Sequence, residues 1–158
     1  MRSIFLILCL AFFLWSCSNT DKPVEQTNTA AFKLNAFPGN SYARVIAYKM
    51  NGDNTDIVNK QNKRSSAVVG EGVALTKKQE ELLLTIYRDK RSYGSEFYRC
   101  FDPHLGFIFY DTSDNIVAHS TVCFQCNWMR TSPDIGAFIF SISGARSLAQ
   151  LEGDIFEL

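Results

Sequence analysis

The chain has 158 residues, 46% of them hydrophobic and 20% charged, with 16 basic and 16 acidic side chains. Zero formal net charge, and no basic block interleaved with aromatics, speak against a nucleic-acid binder. The length suits one domain with a real core.

The first residues set the compartment. Arg2 is a short positive region, and Ile4 to Trp15 is an apolar run of signal-peptide length, too short to span a bilayer comfortably. The run ends at Leu14-Trp15-Ser16-Cys17. This resembles the cleavage site of bacterial lipoproteins, in which a small residue precedes an invariant cysteine. Trp15 departs from that pattern, where a small or β-branched residue is usual. The resemblance implies a signal peptide over residues 1–16, cleavage before Cys17, acylation of Cys17 and a place in the cell envelope facing the periplasm. An ordinary signal peptide or an uncleaved anchor is the alternative. Each buried lipid methylene contributes about 0.8 kcal/mol, and more than one acyl chain gives stable anchoring. Residues 17–36 are polar and read as a lipidated tether. Alternation of Ala30, Phe32 and Leu34 offers an edge strand there instead. Residues 37–158 are then a single domain.

Phe37-Pro38-Gly39-Asn40 is a turn, and Tyr42 to Met50 a strand with Val45, Ala47 and Lys49 on one face. Asn51-Gly52-Asp53-Asn54 supplies turn chemistry. Asp56 to Ser66 reads as a weak outer strand or solvated loop, and Ala67 to Leu75 as strand or connection. Thr76 and Gln79 match a capping box that opens a helix over about 76–89. Its expected buried stripe is Leu82, Leu83, Ile86 and Tyr87, with Glu80 and Glu81 toward solvent. Ala137 to Ile142 reads as a buried strand. A second helix follows over about 144–152, with Leu148 and Leu151 inward and Gly153 as its stop. Helices and strands do not alternate regularly. The expected fold is α+β with a mainly antiparallel sheet and a central hairpin over about 104–123.

Chemistry concentrates between Cys100 and Cys126. Two β-rich segments flank Thr112-Ser113-Asp114-Asn115, a hairpin signal. Of five cysteines, Cys9 leaves with the signal peptide and Cys17 is capped by lipid, so Cys100, Cys123 and Cys126 remain. An exported compartment favours disulfides, but three thiols cannot all pair. A four-residue loop places Tyr110 opposite Val117, Ile108 opposite His119 and His104 opposite Cys123. Cys100 and Cys126 come to the same open end. That register gathers Cys100, His104, Cys123 and Cys126 as a Cys3His shell for zinc, or for Cu(I). A slip of one residue turns Cys123 to the opposite face. The alternative is a disulfide within Cys100, Cys123 and Cys126, with a third thiol buried. A redox-active pair at Cys123-Phe124-Gln125-Cys126 is disfavoured, because the motif closes a strand rather than opening a helix. His119, mid-strand, reads as a structural histidine.

At these positions the chain resembles a group of small exported bacterial proteins in which a C-x-x-P-H segment precedes a C-F-x-C segment. The match is Cys100, Pro103 and His104, then Cys123 to Cys126. The resemblance implies that these residues act as a set and carries no activity with it. Three functional expectations follow. The first is a non-enzymatic envelope lipoprotein whose cluster binds a soft metal. The second is an interaction or assembly module with a structural disulfide. The third is a thiol–disulfide oxidoreductase. The expected partners are the membrane, through the lipid on Cys17, and an envelope protein, with no nucleic acid.

Overall fold

A computed structural model describes residues 34–96 and 98–158. The signal peptide, Cys17 and the tether as far as residue 33 lie outside the described residues. Five strands form one antiparallel sheet: β1 Arg44–Met50, β2 Val68–Ala74, β3 Leu105–Tyr110, β4 Ile116–Cys123 and β5 Trp128–Ser132, in the order β2-β1-β3-β4-β5. The two helices are α1 Lys77–Arg88 and α2 Ile142–Phe156. The class is α+β, as the irregular order of elements predicts.

Alternation along the strands divides the apolar residues between two faces. Val45, Ala47, Leu105, Phe107, Phe109, Ala118, Val122 and Met129 point to the side covered by the helices. There they meet Leu83, Leu84 and Tyr87 of α1 and Leu148, Leu151 and Ile155 of α2. Each fully buried side chain of this size contributes about 1.5–3 kcal/mol. Leu34 and Phe37 join this core, so among the described residues it already includes a short 3-10 turn over Leu34–Ala36. The other face is covered by the segment between β1 and β2. Ile57, Val58 and Ala67 pack there on Tyr48, Met50 and Ile108. Gly106 in β3 makes this possible: a Cβ there would lie 2.4 Å from Ile57 Cδ1 and 3.0 Å from Ile57 Cβ.

The Thr76 capping box forms as the spacing predicts. Thr76 Oγ1 accepts from the Gln79 amide at 3.3 Å, and the Thr76 amide donates to Gln79 Oε1 at 2.9 Å. The buried stripe is phased differently. Leu82 is 41% exposed, whereas Glu80 and Leu84 are buried with Leu83, Ile86 and Tyr87. Glu80 tolerates burial because Lys77 Nζ reaches its carboxylate at 2.8 Å. The expected solvent position for Glu80 is therefore corrected.

Three further expectations change. Ala137 to Ile142 is not a strand. It contributes only isolated bridges, from Ile139 to Trp128 and from Phe140 to Tyr93. The Ser141 side chain accepts from the Gly144 amide, so α2 starts at Ile142, which is exposed. Gly153 does not stop α2 either. The helix runs on to bury Ile155 and ends where Glu157 turns left-handed at φ 54°. The segment Asp56 to Ser66, which connects β1 to β2, is not an outer strand and pairs only through an isolated bridge of Val58 with Arg64. β5, which follows directly on Cys126, has no counterpart among the predicted elements.

The central hairpin keeps the expected register over most of its length, with Ile108 opposite His119 and Phe109 opposite Ala118. At the tip the register shifts, and Tyr110 pairs with Ile116 instead of Val117. Asp111 causes this. Its Oδ1 accepts from the Ser113 and Asn115 amides at 2.8 and 2.9 Å, and Asp114 turns left-handed at φ 66°. The loop thereby takes in Asp111, and Val117 becomes the extra residue of a β-bulge.

Candidate sulfur cluster

Cys123 is the last residue of β4 and pairs with Trp128, the first of β5. The four residues between them form a tight turn. Asn127 closes it at φ 55°, with its amide donating to Phe124 O at 3.1 Å. Asparagine tolerates this left-handed backbone better than most residues. The turn swings Cys126 back beside Cys123. From the other side, the segment before β3 runs along the same turn. The Tyr98 amide donates to Cys126 O at 3.2 Å, and the Cys100 amide to Tyr98 O at 2.8 Å.

These two approaches join Cys100 and Cys126 in a disulfide, with Cα atoms 5.5 Å apart. Cys123 stays a free thiol with no solvent exposure. Its Sγ accepts two backbone hydrogen bonds, from the Cys126 amide at 3.2 Å and the Asp102 amide at 3.4 Å. All three sulfur atoms lie within 4.8 Å of one another. Cys126 is as buried as Cys123, whereas Cys100 is exposed. Phe101 and Trp128 complete the shell, packed edge to face at 5.6 Å. The Arg130 guanidinium lies 3.8 Å from the centre of the Phe101 ring and 5.7 Å from that of Trp128. Such a cation over aromatic faces contributes about 0.5–1 kcal/mol at an exposed site. Asp56 meets the same guanidinium at 3.4 Å and ties the covering segment to β5.

His104 does not join the sulfurs. The β3–β4 ladder ends at Leu105 and Val122, one pair short of the expected His104–Cys123 pair. The His104 amide still donates to Val122 O at 3.2 Å. Its imidazole is about half exposed and is held elsewhere: Nδ1 donates to Met50 O at 3.2 Å, and Nε2 stands 3.3 Å from Asp102 Oδ2. The expected Cys3His shell is corrected to a three-sulfur cluster. The described cluster can hold a metal only once its disulfide has opened to two thiols. Asp102, Trp128 and Arg130 are not among the site residues expected from the sequence. Trp128 and Arg130 were legible in principle, since residues two apart on a strand share a face.

His119 lies on the outer face of β4, as its place in the strand implies. Its Nδ1 is buried without a hydrogen-bond partner among the described residues. Burial holds its pKa below the ordinary 6.5, against a smaller opposing pull from Asp56. The unfolded chain therefore takes up a proton more readily than the folded one. This contribution to stability is complete above pH 6.5 and is lost as pH falls from there through the lower folded value. Wild-type protein should lose more stability between pH 7.5 and pH 5 than His119→Phe. Urea unfolding at both pH values checks this, and equal losses would show that the imidazole plays no such part.

Comparison of the chain with protein-family models, with curated proteins and with solved structures finds no match in any of the three.

Proposed function

We propose that the chain is a bacterial envelope lipoprotein, anchored through acylated Cys17, whose α+β domain serves as a non-enzymatic interaction or assembly module. The observation that carries this reading is the Cys100–Cys126 disulfide. Such bonds persist in oxidising compartments and are rare in the cytosol. That agrees with export directed by the apolar run and the Ser16-Cys17 site. The disulfide fixes the entry to the central hairpin against the β4–β5 turn and so serves as a staple. The complete burial of Cys123 argues against its direct attack on an outside substrate, as a Cys123–Cys126 redox motif would require, because an attacking thiol must reach its substrate.

The test is metabolic labelling with a radioactive fatty acid in cells expressing the full chain. Label should enter the protein, the protein should sediment with membranes, and Cys17→Ala should lose both properties. Retention of label and membrane association by Cys17→Ala would defeat the anchoring.

One observation favours a second reading. Three sulfurs already lie within 4.8 Å of one another. After reduction, Cys100, Cys123 and Cys126 would offer three thiolates to a soft metal. Cu(I) suits an all-thiolate set. Zinc wants a fourth ligand, and His104 is engaged with Met50 O and Asp102. Metal analysis of protein reduced, loaded with Cu(I) and desalted should then find one copper per chain. Copper retained equally by Cys123→Ser would refute a three-sulfur site.

A further inference from the structure

We infer that Cys123 and the Cys100–Cys126 disulfide form an internal thiol–disulfide exchange site that delivers a reactive thiolate to the surface at Cys100. This goes beyond a passive staple and does not depend on the lipid anchor. The cluster combines three features that a structural disulfide does not need. A free thiol sits beside the disulfide, with all three sulfurs inside 4.8 Å. Two amide N–H groups, from Asp102 and Cys126, point their partial positive charge at the Cys123 sulfur. Burial is divided asymmetrically: Cys123 and Cys126 are fully buried and Cys100 is exposed.

Cys123 gives its proton to solvent as the site opens transiently, and its thiolate attacks Cys126 Sγ. A Cys123–Cys126 bond forms, the Cys100–Cys126 bond breaks, and Cys100 leaves as a thiolate. Two sulfurs remain oxidised and one reduced, so no outside oxidant or reductant is consumed. Attack on Cys126 rather than Cys100 follows from the fold. Cys126 is three residues away in the same turn, and its own amide already lies 3.2 Å from the attacking sulfur. The leaving thiolate at Cys100 is then the exposed one, where water solvates its charge. The opposite choice would release a thiolate at buried Cys126.

Cys123 cannot meet an outside disulfide, but a released Cys100 can. The ligand class is therefore a disulfide, carried by a small molecule or by another exported protein. The Cys100 thiolate attacks one sulfur of that disulfide, a mixed disulfide forms, and the other half departs as a thiolate. The arrangement hides the nucleophile and displays the product.

The experiment uses the full chain purified without reductant and glutathione disulfide as the probe. After incubation at neutral pH the reaction is quenched with acid, and the non-reduced peptides are mapped. The expected product carries one glutathione on Cys100 and a Cys123–Cys126 bond. Cys123→Ser keeps the Cys100–Cys126 bond with no thiol beside it and should form no adduct on Cys100, with an unchanged melting profile showing that it is folded. No adduct on the wild-type protein, or an adduct on Cys123, overturns the inference whatever the variant does. An adduct on Cys100 of the Cys123→Ser protein would mean that Cys100 is free without Cys123, and overturns it as well.

Discussion

Replacing Cys100 and Cys126 together by alanine should lower the unfolding free energy by about 3.5 kcal/mol. The size comes from the loop that the disulfide closes. The two cysteines are 26 residues apart in sequence, and the loop contains the whole central hairpin. Releasing a loop of that length returns about 3.5 kcal/mol of chain entropy to the unfolded state at 25 °C in the loop-closure treatment. The folded state should change little, because β3 and β4 are paired to each other and to β1 and β5 without help from the sulfurs. Urea denaturation should therefore show a lower midpoint together with a steeper dependence, since the freed unfolded chain exposes more surface. Cys123→Ala removes no loop closure and should cost far less. A double variant within 1 kcal/mol of wild type would mean that the disulfide does not staple the fold.

Phe109→Ala should destabilise the domain by about 3–5 kcal/mol, the usual range for removing a large ring from a core. Phe109 is fully buried on β3, the middle strand of the sheet. Its ring meets Phe37 and Tyr42 edge to face, each at 5.2 Å, and Phe37 in turn meets Tyr87 of α1 at 5.6 Å. One side chain thus joins the entry segment, the sheet and, through Phe37, the first helix. A cavity there has rigid walls on three sides and cannot collapse without moving an element. A loss below about 1.5 kcal/mol in urea unfolding would contradict the placement of Phe109 in this junction.

Local chemistry explains what could be read before the structure. The α+β class, the capped α1 and the register of the central hairpin follow from periodicity, a capping pair and turn residues, all of which act over a few positions. Ile108 and His119 pair as the loop length implies. The failures lie where particular side-chain partners decide, some of them close in sequence and some distant. Asp111 draws itself into the loop through two side-chain hydrogen bonds, and the bulge at Val117 absorbs the change. Glu80 is buried because Lys77 pairs with it, which amphipathicity alone does not reveal. Ile139 and Phe140 have strand composition but find only single bridges. The site divides in the same way. Convergence of the three cysteines follows from the hairpin register, because backbone pairing sets it. The loss of His104 does not, because Met50 O on distant β1 and the neighbouring Asp102 claim its ring. Which two of three close sulfurs pair was likewise open, and it is decided by the path of residues 98–100 along the turn after Cys123.

The staple and the exchange site both depend on one covalent arrangement, a Cys100–Cys126 bond beside a buried free Cys123. Its most direct test is site-resolved mapping of the full chain purified without reductant. The sample is quenched in acid, unfolded, and blocked with a maleimide at mildly acidic pH to halt exchange. The expected result is a linked peptide pair containing Cys100 and Cys126, with the maleimide on Cys123 among these three. Maleimide on all three cysteines, or a resting bond that uses Cys123, would contradict the account.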